Sequence, residues 1–132
     1  PPMRRPIVIF NRFAVVRVPF PFTDRNATKN RPALVLSDPV AFNTPAGHSV
    51  MAMITSMENP PWPLDCPLTD LTTAGLPAPS KVRFKLFTLD HRLVRSILGQ
   101  LSSADAEVVQ SSLTRLLGTV NQESAAEGYN PD

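Results

Sequence analysis

Arg31 stands directly before Pro32, where a polar loop gives way to the apolar run Ala33 to Leu36. Proline fixes its own φ and biases the preceding residue toward an extended conformation. An arginine presented in this way, at the mouth of a strand, offers a rigid five-donor fork that matches a phosphate or a carboxylate. An ordinary solvated loop charge is the alternative reading of the same residue. A second cationic group follows later. Lys81, Arg83 and Lys85 alternate with Val82, Phe84 and Leu86, as in a half-buried strand with a basic outer face. Such a face can track a nucleic-acid backbone or simply solvate a strand.

Other chemistries find less support. The two histidines, His48 and His91, are isolated in sequence and read as surface residues rather than catalysts. The single cysteine, Cys66, lies in a proline-rich stretch and reads as a loop thiol, not a nucleophile. No Cys/His/Asp cluster has metal-ligand spacing, and no glycine-rich phosphate loop is present. The expectation is therefore no metal and no cofactor.

These residues need elements to position them. Val15 to Phe20 reads as a strand, Thr23 to Asn30 as a loop of turn formers, and Pro32 to Ser37 as a buried strand. Asp38 to Gly47 reads as a loop, and Ser49 to Thr55 as a third strand. Glu58 to Pro79 holds six prolines and no helical period, so it reads as an irregular excursion with a short strand near Pro67 to Thr69. Val82 to Leu86 and Ile97 to Gln100 are further strands. Ser102 or Ser103 then caps a helix, with Asp105 as a partial capping-box partner. Val109, Leu113, Leu116 and Leu117 form its apolar stripe, and Gly118 ends it. The fold class is mainly β (α+β), a small β-barrel with a packed C-terminal helix.

The 132 residues suffice for one core. The expected layout is a single domain over residues 1–118, then an acidic, flexible tail over 119–132 carrying Glu123, Glu127 and Asp132 and no base. Residues 1–95 hold twelve Lys/Arg against six Asp/Glu. A basic body favours a polyanionic partner. Aromatic content is low, with few obvious platforms for stacking bases. No apolar run is long enough to span a membrane, Ile7 to Phe10 is too short for a secretory leader, and one cysteine permits no internal disulfide. A cytoplasmic protein is expected.

Three segments together resemble one family. PFPFTD followed by a short loop and RPALVLS resembles the N-terminal signature of the MazF/PemK toxins, the ribonuclease halves of type II toxin–antitoxin pairs. MAMITS resembles the family's central strand, and SKVRFKLFTLD with LGQLS and the late helix resembles its second half. The match runs from Phe13 to Gly118, with one departure: Phe13-Ala14 stand where the family usually has Gly-Asp. The resemblance implies an SH3-like barrel shared with the CcdB gyrase poisons. It implies a homodimer, a cognate antitoxin, and metal-independent, sequence-specific cleavage of single-stranded RNA by 2′-OH attack. By motif position it makes Arg31 and Thr55 the catalytic pair. Thr23, Asp24 and Ser56 fall in the matched motifs, and with Arg25, Lys29, Lys81, Arg83 and Lys85 they are the expected substrate-binding residues. The general base stays unassigned. A topoisomerase poison or a noncatalytic binding module on the same barrel remains the alternative. The resemblance also implies that an acidic antitoxin segment competes with RNA near Arg31, Thr55 and the Thr23 to Asn30 loop.

Overall fold

A computed structural model describes residues 8–20 and 29–118. Six strands form one sheet in the order β4-β5-β3-β2-β1-β6. They are β1 (Ala14–Phe20), β2 (Lys29–Val35), β3 (His48–Ser56), β4 (Cys66–Pro67), β5 (Ser80–Asp90) and β6 (Ser96–Gln100). Every pairing is antiparallel. The sheet curls into a half-barrel against a C-terminal helix, α3 (Ser103–Leu117), as the sequence predicts. Among the described residues no helix is long and apolar enough to cross a membrane.

Both faces of the central strands are buried, which is why they read as near-continuous apolar runs rather than alternating ones. Val15, Leu34, Ala52, Ile54 and Val82 form one face, and α3 covers it through Val109 and Leu113. Val16, Val18, Ala33, Val35, Met51 and Leu89 form the other, closed by Phe10 with Phe87 and Val94. Because successive strand residues alternate faces, Phe20, Arg31, Met53, Thr55, Arg83, Lys85 and Phe87 extend this second face toward one end of the sheet.

The structure corrects several local expectations. Arg31 lies within β2, not at its mouth, because the strand begins at Lys29 and pairs with β1 as far as Phe20 opposite Lys29. Asp38 to Gly47 is not a loop. It forms a π-type turn (Pro39–Asn43) and the short helix α1 (Thr44–Ala46), with the Asp38 carboxylate accepting from the Ala41 amide at 2.8 Å. Asn43 is fully buried there, and its amide donates to the Phe10 and Ser37 carbonyls. Cys66 belongs to β4 and is buried, and burial pushes its thiol up, away from the thiolate.

Glu58 to Pro79 also contains a helix, α2 (Leu71–Ala74), which has too few residues to show a period. Asp70 caps it, and Gly75 closes it at φ +73°. A Cβ at Gly75 would lie 2.0 Å from the Leu98 carbonyl oxygen, so glycine is what lets α2 seat against β6. On α3, Val109 and Leu113 are buried but Leu116 and Leu117 are exposed. Ser102 is the N-cap, and its hydroxyl accepts from the Asp105 amide at 3.2 Å. The buried Asp105 carboxylate reaches across to the Thr69 amide and hydroxyl and the Asp70 amide, at 2.7–3.1 Å. Those bonds hold its carboxyl below the ordinary value, against the opposing effect of burial.

Phe13 opens β1 at φ +67°, a conformation glycine adopts without strain and phenylalanine rarely does. Its amide donates to the Val35 carbonyl at 2.7 Å and its carbonyl accepts from Leu101 at 3.0 Å. The Arg12 guanidinium lies 4.5 Å from its ring centre. The backbone thus takes a glycine-type turn even with Phe13-Ala14 in place of Gly-Asp.

Candidate functional site

β2 and β3 are paired with Ala33 opposite Met53. The β2–β3 pairing ends there; Arg31 and Thr55 lie two residues beyond that last pair on the two strands, and Thr55 in turn pairs with Lys81 on β5. By strand alternation the three side chains belong to one face of three adjacent strands. Arg31 and Thr55 open onto a cavity of about 400 Å³ whose lining includes Phe20, Asn59, Arg83, Lys85 and Phe87. Arg31 is exposed. Its guanidinium carbon lies 5.7 Å from the centre of the Phe20 ring, within reach of a cation–π attraction. Among the described residues its guanidinium has no hydrogen-bond or ion-pair partner. The Thr55 hydroxyl accepts from the Asn59 side-chain amide, which leaves its own hydrogen for donation.

The opposite rim is tied together. Asp65 accepts from Arg83 through both carboxylate oxygens, at 3.2 and 2.9 Å, and lies 3.1 Å from the Lys81 ammonium. It also accepts from the Trp62 amide at 3.0 Å, while its own amide donates back to the Trp62 carbonyl at 3.1 Å. Burial raises the Asp65 carboxyl, but the bonds from Arg83, Lys81 and Trp62 outweigh it and hold the group below the ordinary carboxylate range. Arg83 also donates to the Pro60 carbonyl at 2.7 Å, and Lys81 to the Asn59 carbonyl at 2.8 Å.

A bulge in β5 shapes this rim. Met51 pairs with Phe87 but Met53 pairs with Arg83, so two extra residues are accommodated on β5 between those pairs. Bulges re-aim side chains beside functional sites. Lys85 and Leu86, within this one, are exposed and line the cavity.

Of the residues expected from sequence, Arg31, Thr55, Arg83 and Lys85 come together at the cavity. Ser56 lies on a neighbouring shallow pocket, shared with Arg31 and Thr55, and its hydroxyl accepts from the Glu58 amide at 3.1 Å. Lys29 is exposed at the start of β2. Lys81 is buried with its charge taken up by Asp65, so it does not offer its ammonium to the surface. Thr23, Asp24 and Arg25 lie outside the described residues, as does the 119–132 segment.

Neither histidine lines the cavity. His91 stacks on Phe10 at 4.2 Å and shares a 2.7 Å hydrogen bond with Ser49, and burial lowers its pKa. Nδ1 of His48 lies 2.8 Å from the Ala46 carbonyl. Among the described residues no group of three or more His, Cys, Asp or Glu could hold a metal ion. The residue missed by sequence reasoning is Trp62. It sits 4.7 Å from the Lys85 ammonium and 5.7 Å from the Arg83 guanidinium carbon. The signal available was the turn-forming Pro-Pro-Trp-Pro run ahead of Asp65.

No curated protein sequence is a significant match. Several solved structures share the fold. The MazE–MazF complex (Form-III) of Deinococcus radiodurans is 24% identical with a TM-score of 0.68, over 86% of this chain and 100% of that one. An endoribonuclease in complex with its cognate antitoxin, from a mycobacterial species, is 18% identical with a TM-score of 0.67, over 87% and 99%. The Mycobacterium tuberculosis toxin MazF-mt6 is 18% identical with a TM-score of 0.61, over 79% and 95%. The model of the PemK-like, MazF-like toxins of type II toxin–antitoxin systems matches residues 11–117, nearly all of the described fold, and the chain belongs to that family.

Proposed function

We propose that this toxin is an endoribonuclease that cuts single-stranded RNA without a metal ion. The observation that carries the reading is Arg31, which lines one cavity with Thr55 and whose guanidinium has no hydrogen-bond or ion-pair partner among the described residues. In this reaction the 2′-oxygen attacks the adjacent phosphorus and the bond from phosphorus to the 5′-oxygen breaks. The products are a 2′,3′-cyclic phosphate and a 5′-hydroxyl end. The 2′-hydroxyl loses one proton and the leaving oxygen gains one.

Negative charge builds on the non-bridging oxygens, and the Arg31 fork suits two of them. The Thr55 hydroxyl supplies a further donor. The described lining holds cations and a hydroxyl but no carboxylate or imidazole, so charge stabilisation is the contribution these residues are built to make. Family membership and the likeness to an endoribonuclease support the reading. Incubation of the purified protein with a long single-stranded RNA in EDTA tests it. Discrete fragments with 5′-hydroxyl ends are expected; an intact RNA would overturn it.

The same reading includes two protein partners. An acidic segment of a cognate antitoxin occupies the cationic rim in place of RNA, in keeping with the likeness to a MazE–MazF complex. A second copy of the chain packs against the outer edge of β6, where the exposed Ile97 and Val8 line one groove. Displacement of a bound RNA analogue by the antitoxin, and sedimentation as a dimer at micromolar concentration, are the expected results.

A further inference from the structure

Trp62 is the chain's only tryptophan, and 45% of its surface is exposed. A large aromatic so placed is usually either covered by a partner or put to use. Its surroundings favour use. Two cations that line the Arg31–Thr55 cavity, Arg83 and Lys85, lie against its ring. They are two residues apart on β5, and both reach the same ring.

The ring is also held in place. Pro60, Pro61 and Pro63 stiffen its backbone. Trp62 and Asp65 exchange a reciprocal pair of bonds across a turn in which Leu64 sits at φ +65°. Asp65 is fastened to β5 through Lys81 and Arg83. A half-exposed indole beside a cationic cavity has the makings of a stacking platform for an unpaired base, since every base has a π-face and the exposed Lys85 ammonium beside the ring suits its phosphate.

We infer that Trp62 stacks a nucleobase of single-stranded RNA and thereby seats the neighbouring phosphate at Arg31 and Thr55. The inference rests on the nuclease reading above and names the group that would hold the substrate's base. As a platform that binds ground state and transition state alike, Trp62 acts on KM rather than kcat.

Being unique, Trp62 reports on itself by fluorescence. The probes are short homopolymeric single strands of 2′-O-methyl RNA, one per base, which lack the attacking hydroxyl and so bind without being cut. Saturable quenching is expected from the single strands. None is expected from the same RNA as a duplex, whose bases are already stacked, or from inorganic phosphate at equal ionic strength. Trp62→Ala weakens binding of the strands by roughly 5- to 150-fold, the equivalent of one lost base stack. Trp62→Phe, which keeps an aromatic face, stays within a few-fold of the native chain. With unmodified RNA the Trp62→Ala loss falls on KM.

Unquenched fluorescence, or native affinity in Trp62→Ala, overturns the inference. The two readings fail separately. Cleavage of unmodified RNA with no response from Trp62 removes the platform and leaves the nuclease. Quenching and loss of affinity in Trp62→Ala, with unmodified RNA left uncut, keep the platform and remove the nuclease.

Discussion

Two guanidinium groups face one cavity, and they are held in opposite ways. Arg83, on the β5 rim, is clasped by both oxygens of Asp65 and by the Pro60 carbonyl. Arg31, on the β2 rim, touches an aromatic ring and has no ionic or hydrogen-bonded partner among the described residues. A charge neutralised by a carboxylate inside the fold positions a loop. A charge whose donors are left over has to find its anion outside. Residue type and strand position do not distinguish the two cations; their partners do, and the proposed role of Arg31 rests on that difference.

The sharpest way to break this comparison is to remove the unspent charge. Arg31→Ala should lower cleavage by on the order of 10²–10³-fold, the cost of one lost transition-state donor, with the thermal midpoint nearly unchanged. Arg31→Lys should recover little, because an ammonium lacks the planar fork. Native activity in Arg31→Ala would sink the assignment. Thr55→Ala should cost roughly a hundredfold in kcat. A change confined to KM would show that the hydroxyl only binds.

The β5 rim should answer in stability instead. Asp65→Ala strands the buried Lys81 ammonium and should cost on the order of 3 kcal/mol of folding stability, read by chemical denaturation. An unaltered denaturation midpoint would show that the clasp is ornamental. The smallest effect expected is on pH. Asp65 and Asp105 have carboxyls held below 3.8 in the fold. As acid is added, the unfolded chain therefore takes up protons first. Their contribution is complete above the unfolded value and is lost as pH falls through the lower native ones. The thermal midpoint should drop in acid, and Asp105→Asn should flatten that drop. A midpoint indifferent to pH below about 4 would contradict the sign.

The half-barrel and the Arg31–Thr55 pair were legible for different reasons. β-branched runs and proline-rich turns announce strands locally. The pair emerged because its two motifs match one family, and the fold brings both residues to one cavity. Trp62 was hidden because its cations stand more than twenty residues downstream, on a strand whose bulge no local pattern announces. Lys81 misled for a related reason. Alternation set it on the same face as Arg83 and Lys85, but only the fold reveals that Asp65 buries it. The stripe on α3 included two exposed leucines because helical period marks a face and says nothing about what covers it.

The β5 bulge carries two surplus residues, and an even surplus leaves inside and outside unchanged beyond it. Phe87 and Leu89 still face the same core as Met51. A deletion of two residues there would shorten the rim and retract Lys85 without turning any later side chain over, whereas a deletion of one would invert the rest of the strand. Among descendants of such a chain, the width of the cavity can therefore change in steps of two while the barrel behind it stays the same.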